Sequence, residues 1–173
     1  METFVKVQKI LQTNTKLLAA IGLGLILIAG FLTSPSNTNI PWHTNSAGAT
    51  HEIIVYKSAT CGCCTIHADY MQANGYRVES VDTEELNAIK KSYNIPSELW
   101  SCHTTIVNDG EYFIEGHIPI EAIDELLEQE PDIAGIGMPG MPSGSPGMPG
   151  PKYGPFEVMQ VNHDQEIDLY MSI

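Results

Sequence analysis

The segment 131–155 constrains this chain more than any other. Its 25 residues include seven prolines and seven glycines, and the tetrapeptide Gly-Met-Pro-Gly occurs twice, at 137–140 and 147–150. Proline lacks an amide donor, and glycine costs backbone entropy in any regular element. Neither a helix nor a packed strand is expected through this stretch, only extended or turn-rich chain. A core must therefore be built mainly from the residues before it.

Those residues carry a regular alternation of signals. "HEIIVYKS" (51–58) reads as a short buried strand, and "CTIHADYMQAN" (64–74) as a helix stopped at Gly75. "YRVESVD" (76–82) alternates as a strand does, and "TEELNAIKKSYNI" (83–95) has acids first, bases later and Pro96 beyond, as a dipole-matched helix should. "HTTIVND" and "EYFIEGHIP" flank Asp109-Gly110, a strong hairpin signal. "PIEAIDELLEQE" (119–130) opens with proline and puts Ile120, Ile123, Leu126 and Leu127 on one face. Beyond the Pro/Gly block, 156–173 is strand-like again, with "NHDQ" (162–165) able to turn a hairpin. The order β-α-β-α-β-β-α predicts an α/β fold, a thioredoxin-like mixed sheet flanked by helices, with a Pro/Gly/Met-rich C-terminal extension.

The N-terminus reads differently. Residues 17–32, "LLAAIGLGLILIAGFL", are unbroken apolar chain preceded by Lys6, Lys9 and Lys16, and no charged residue comes after them until Glu52. That asymmetry keeps the N-terminus in the cytoplasm and exports the remainder of the chain. Sixteen residues is somewhat short of the ~20 of a comfortable span and long for a secretory core of about 7–15. No small-residue cleavage site lies at its end, so residues 1–32 read as an uncleaved signal anchor, with secretion after cleavage as the alternative. Residues 33–50 then form a polar tether, and the domain at 51–130 is placed in the periplasm or another extracytoplasmic space.

Charge excludes one class of partner. Of eight Lys and Arg and 21 Asp and Glu, three bases and one acid precede the tether, which leaves five bases against 20 acids. Such a domain repels phosphate backbones, so nucleic acid is not expected as a partner, whereas cations are tolerated.

Three of the four cysteines, Cys61, Cys63 and Cys64, crowd the corner between the first strand and the first helix. A helix N-terminus favours thiolate over thiol. Cys61 and Cys64 have the C-x-x-C spacing, so their sulfurs can share a disulfide or a metal. Cys63 points about 100° away from Cys64 on a helix. Diverging thiolates suit several ions of a soft metal at low coordination number, and Cu(I) is the first candidate. Cys102 precedes the third strand, where thioredoxin-like proteins place a cis-proline against the C-x-x-C corner, and is expected to face the other three.

"CGCC" (61–64), "SCHT" (101–104), "IEGHIP" (114–119) and "PGMPSGSPGMPG" (139–150) occur in that order. Together they resemble the DUF411 family, exported metal-binding proteins that include CopG-like copper-resistance proteins, over about residues 51–151. The resemblance implies copper binding through Cys61, Cys63, Cys64 and Cys102. The family pattern puts Trp three and His six residues after the last cysteine; here His67 and Tyr70 stand there.

The candidate ligands also include histidines and methionines. His67 stands i+4 from Cys63 and either shares its face or is solvated. His117 ends the fourth strand and is a candidate metal ligand or a group supporting one. His103 neighbours Cys102, but strand alternation points it the other way. Met138, Met141 and Met148 are thioethers able to bind Cu(I), or else loop anchors.

The expected function is a membrane-tethered copper-binding protein that sequesters Cu(I) or handles its redox state in copper resistance, alongside other exported copper-handling proteins. It is read as a metal-binding protein rather than an enzyme. The alternatives are a thiol-disulfide oxidoreductase using Cys61 and Cys64, and a structural zinc or iron–sulfur module, for which Cys-x-Cys-Cys lacks paired knuckles.

Overall fold

The computed structural model describes residues 51–173. The signal anchor and tether expected at 1–50 lie outside the described residues, and no helix among the described residues is long and apolar enough to cross a membrane.

Strand β1 (Ile53–Lys57) leads into helix α1 (Gly62–Ala73), strand β2 (Val78–Asp82) and helix α2 (Leu86–Ser92). A 3-10 turn at Ser97–Leu99 precedes β3 (His103–Val107), after which come β4 (Tyr112–Glu115) and helix α3 (Ile120–Gln129). Three further strands complete the chain: β5 (Gly135–Gly137), β6 (Glu157–Val161) and β7 (Ile167–Ser172). All seven strands form one mixed sheet in the order β2-β1-β3-β4-β5-β6-β7. β1 runs parallel to β2 and β4 parallel to β5; the other neighbours are antiparallel.

The sheet separates two apolar clusters, and period-2 alternation decides which residue joins which. Val107, Tyr112 and Ile114 join Met71 of α1 and Ile123, Leu126 and Leu127 of α3 in the larger cluster. Ile106 and Phe113 instead join Ile95, Leu99 and Val161 in the smaller one. By the same alternation His103 faces the α1/α3 side, while Thr104 and Glu115, paired across β3 and β4, face α2. α1 buries Cys64, His67, Ala68 and Met71, an i, i+3, i+4, i+7 stripe.

One expectation is corrected here, and two local features add to the others. The block 131–155 does contain a packed strand: β5 is wholly buried between β4 and β6. Glycine makes this possible, since a Cβ on Gly135 would lie 2.2 Å from the Phe113 carbonyl oxygen. The expected β3–β4 hairpin forms, with a connection wider than two residues in which Asn108, Asp109 and Gly110 are all at positive φ (47, 56 and 108). Lys90, one of the bases in the later half of α2, is buried, because α2 turns its side chain toward Thr104 and Glu115.

Candidate metal centre

α1 begins directly after Cys61, whose N–H donates to the Ser58 carbonyl at 3.0 Å and closes the corner. The first amides of a helix have no intrahelical acceptor, and this first turn contains no acidic side chain. The thiols are the groups placed to use that positive end. Cys61 and Cys64 are joined as a disulfide, and Cys63 and Cys102 are free. Cys63 Sγ lies 3.6 Å from Cys61 Sγ. Cys64 Sγ lies 3.6 Å from the Cys102 carbonyl oxygen, a contact that gains an S–H donor once the disulfide is reduced. The four sulfurs lie within 4.8 Å of one another.

Cys102 also belongs to a second cluster. Its Sγ, His103 Nδ1 and His117 Nε2 lie within 4.8 Å of one another, with His117 Nε2 at 3.0 Å and His103 Nδ1 at 3.5 Å from the sulfur. His103 meets Cys102 despite strand alternation, because Cys102 precedes the strand. Its side-chain direction is set by the loop and not by the pleat.

Hydrogen bonds fix which nitrogen of each imidazole carries its proton. His117 Nδ1–H donates to the Pro146 carbonyl at 2.7 Å, so Nε2 presents its lone pair to Cys102. His67 Nε2–H donates to the Ile118 carbonyl at 2.9 Å, which makes His67 Nδ1 an acceptor for His103 Nε2–H at 3.1 Å. His103 Nδ1 is then left as a lone pair, again toward Cys102. Two backbone carbonyls thus aim two imidazole lone pairs at one sulfur.

Burial keeps these rings neutral. The His67 pKa falls to about 4, chiefly through desolvation, with the nearby His117 adding to the fall. Desolvation takes His103 well below the ordinary range, helped by His67 and His117, and lowers His117 as well. Neutral imidazole is the metal-ligating form. Burial, and then the charge of Cys63, push the Cys102 thiol up to about 11, so without a cation the site prefers the thiol.

The Pro/Gly loop closes over this arrangement. A Cβ on Gly147 (φ +84) would lie 2.7 Å from the Cys63 carbonyl oxygen, 3.1 Å from His67 N and 3.2 Å from His117 Nδ1. On the other side Ser101 Oγ donates to the Gly140 carbonyl at 2.8 Å.

The structure therefore brings Cys61, Cys63, Cys64, Cys102, His103 and His117 together, with His67 behind them. His67 is buried, not solvated, and shares its helix face with Cys64 three residues earlier instead of with Cys63. Met138 does not join them: it is packed in the larger apolar cluster, because β5 carries the chain into the core just before it. Met141 is 51% exposed, and Met148 is half-buried beside the loop tip. Pro146 and Gly147 escaped sequence reasoning because a carbonyl and a missing Cβ leave no chemical signature. Glu115 did leave one, an acid on the inward alternation of "YFIEG".

As a donor set the site fits a soft metal ion. Sulfur donors and neutral imidazoles converge, the imidazole protons are all taken by oxygen or nitrogen acceptors, and no carboxylate enters either cluster.

The family described as "Protein of unknown function, DUF411" matches residues 99–148. A solved structure described as "Copper resistance protein copG- Form 2" is 31% identical, with TM-score 0.66, covering 71% of this chain and 98% of that one. A second, described as "Copper resistance protein copG- Form 1", is also 31% identical, with TM-score 0.65, covering 70% of this chain and 96% of that one. No curated protein matches. At that identity, over nearly the whole of both solved chains, this chain belongs to the DUF411 family of CopG-like proteins.

Proposed function

We propose that the chain is an exported, membrane-tethered copper-binding protein that holds Cu(I) in a cysteine-thiolate site, for sequestration or redox handling in copper resistance. The observation that carries the reading is the meeting of four sulfurs within 4.8 Å, with two imidazole lone pairs aimed at one of them. Thiolates select Cu(I) over harder ions, and two adjoining donor clusters that share Cys102 favour holding several ions over enclosing one. The names of the two solved relatives support copper as the cargo. Export and tethering rest on the apolar run at 17–32 and its flanking lysines.

The Cys61–Cys64 disulfide gives the redox branch its chemistry. Two thiols closing to a disulfide release two electrons and two protons, enough to reduce two Cu(II) to two Cu(I). Reopening the bond requires an external dithiol. Cys63 and Cys102 stay available in both states, so the centre keeps sulfur donors when oxidised.

The disulfide favours a second reading, a thiol-disulfide oxidoreductase using Cys61 and Cys64 on a thioredoxin-like scaffold. The two readings part under anaerobic Cu(I) titration of the reduced full-length chain. Uptake of several Cu(I) ions, cut sharply by Cys63→Ser and by Cys102→Ser, supports the thiolate centre. No uptake, with Cys61 and Cys64 cycling against a dithiol in both variants, overturns it in favour of the oxidoreductase.

A further inference from the structure

On the α2 side of the sheet, behind the sulfurs, lies a charged pair that the metal reading does not use. Lys90 is 1% exposed and Glu115 0%. Glu115 Oε1 accepts the Lys90 ammonium and also the backbone N–H of Ser101, the latter at 2.5 Å. Glu115 Oε2 accepts the Thr104 hydroxyl at 2.7 Å, and Lys90 Nζ donates to Thr104 Oγ1 at 2.8 Å. Ser101 and Thr104 are the residues immediately before and after Cys102-His103.

We propose that Glu115, held in place by Lys90, is the positioning residue of the metal centre, one carboxyl group gripping the chain on both sides of Cys102-His103. The inference rests on the metal reading of that dipeptide and adds what fixes its geometry. Cys102 is the residue common to both donor clusters, and it sits outside the strand, so the β ladder does not hold its side chain. Without the grip the 101–102 segment keeps, among the described residues, Ser101 Oγ on the Gly140 carbonyl and the Cys102 carbonyl beside Cys64 Sγ. The grip also explains a buried pair that stability alone does not require. Hydrophobic replacements of similar volume often match or exceed a buried ion pair in stability, whereas removing one partner leaves a stranded charge.

That asymmetry supplies the test. In the full-length chain, Lys90→Met/Glu115→Leu removes both charges and both acceptors, Lys90→Met/Glu115→Gln removes the charges but keeps an acceptor, and Thr104→Val removes one side of the grip with the ion pair intact. Melting temperature reports the fold. Two readouts report positioning: Cu(I) affinity by chelator competition, and the alkylation rate of Cys102 relative to Cys63 in the reduced metal-free protein, read by peptide mass spectrometry.

Positioning predicts that Lys90→Met/Glu115→Leu melts near the wild type and yet binds Cu(I) about 10–100-fold more weakly, the range that outer partners of metal ligands command. Its Cys102-to-Cys63 rate ratio rises, and the Gln double variant and Thr104→Val fall between it and the wild type. Variants that melt normally and match the wild type in both readouts overturn the proposal. If the Leu double variant does not fold, the same comparison on Thr104→Val decides. A wild-type chain that takes up no Cu(I) overturns the copper reading, and the alkylation ratios still decide whether Glu115 positions Cys102.

Discussion

The two halves of the centre are built in opposite ways. The thiol corner is local: Cys61, Cys63 and Cys64 lie on one helical turn, Cys61 and Cys63 are only partly buried, and a Cβ on Gly62 would meet nothing within 4 Å. The imidazole pocket is assembled from three elements, with His67 on α1, His103 on β3 and His117 beyond β4, all fully buried. The corner can change its covalent state with little disturbance around it. The pocket depends on a chain of hydrogen bonds ending on two backbone carbonyls, so it is rigid and intolerant. Under the proposed copper function, a disulfide-forming half beside a preorganised half is a workable division of labour.

Substituting the residue shared by both halves is the strongest way to break this contrast. Cys102→Ser should weaken Cu(I) binding by more than the ~10–100-fold expected of outer partners, as measured by chelator competition on reduced protein.

The next largest effect separates the halves by pH. The metal-free chain should lose stability as pH falls from 6.5 towards 4, because the unfolded histidines take up protons there and His67, held at about 4, does not. The contribution is fully present above the unfolded pKa and is lost as pH falls through that window. For His67 alone it amounts to about 3 kcal/mol. Urea unfolding across this range checks it, and His67→Gln, which still offers an amide donor to the Ile118 carbonyl, should flatten the curve by about that amount. An unchanged curve would mean the pocket does not exclude protons.

A smaller effect tests the loop over the pocket. Gly147→Ala should cost about 1–3 kcal/mol, since alanine meets both a left-handed backbone and the Cys63 carbonyl. Thermal melting reads that loss, and the His117 imidazole resonances should shift with it.

The smallest effect probes the corner alone. Gly62→Ala, inside α1 with open space at its Cβ, should leave stability unchanged or raise it by about 0.5–1 kcal/mol. A large loss there would show the corner to be as tightly built as the pocket and would erase the comparison.

Much of the element order was legible because each signal is local. Gly75 ends α1 within two residues, and the period of "PIEAIDELLEQE" gives α3 its buried face. β5 was hidden because its packing depends on Phe113, twenty-two residues earlier in the chain, pressing against a glycine. Lys90 looked like a helix-end base because nothing within its own helix shows that Glu115 waits across the space behind the sheet. Met138 looked like a loose loop ligand for the same reason as β5. The three histidines could be named from the sequence, but their tautomers could not.

Sequence by itself determined the inventory: which thiols share a helix start, where strands and helices alternate, and the sign of the charge. Those are properties of residue type and short spacing, which act over a few positions along the chain. Only the tertiary structure decided that Cys102 serves two donor clusters, that the lone pairs of His103 and His117 face it, and that Glu115 braces it. Each of those depends on contacts between residues far apart in sequence, whose distances are set by how the sheet and its helices pack.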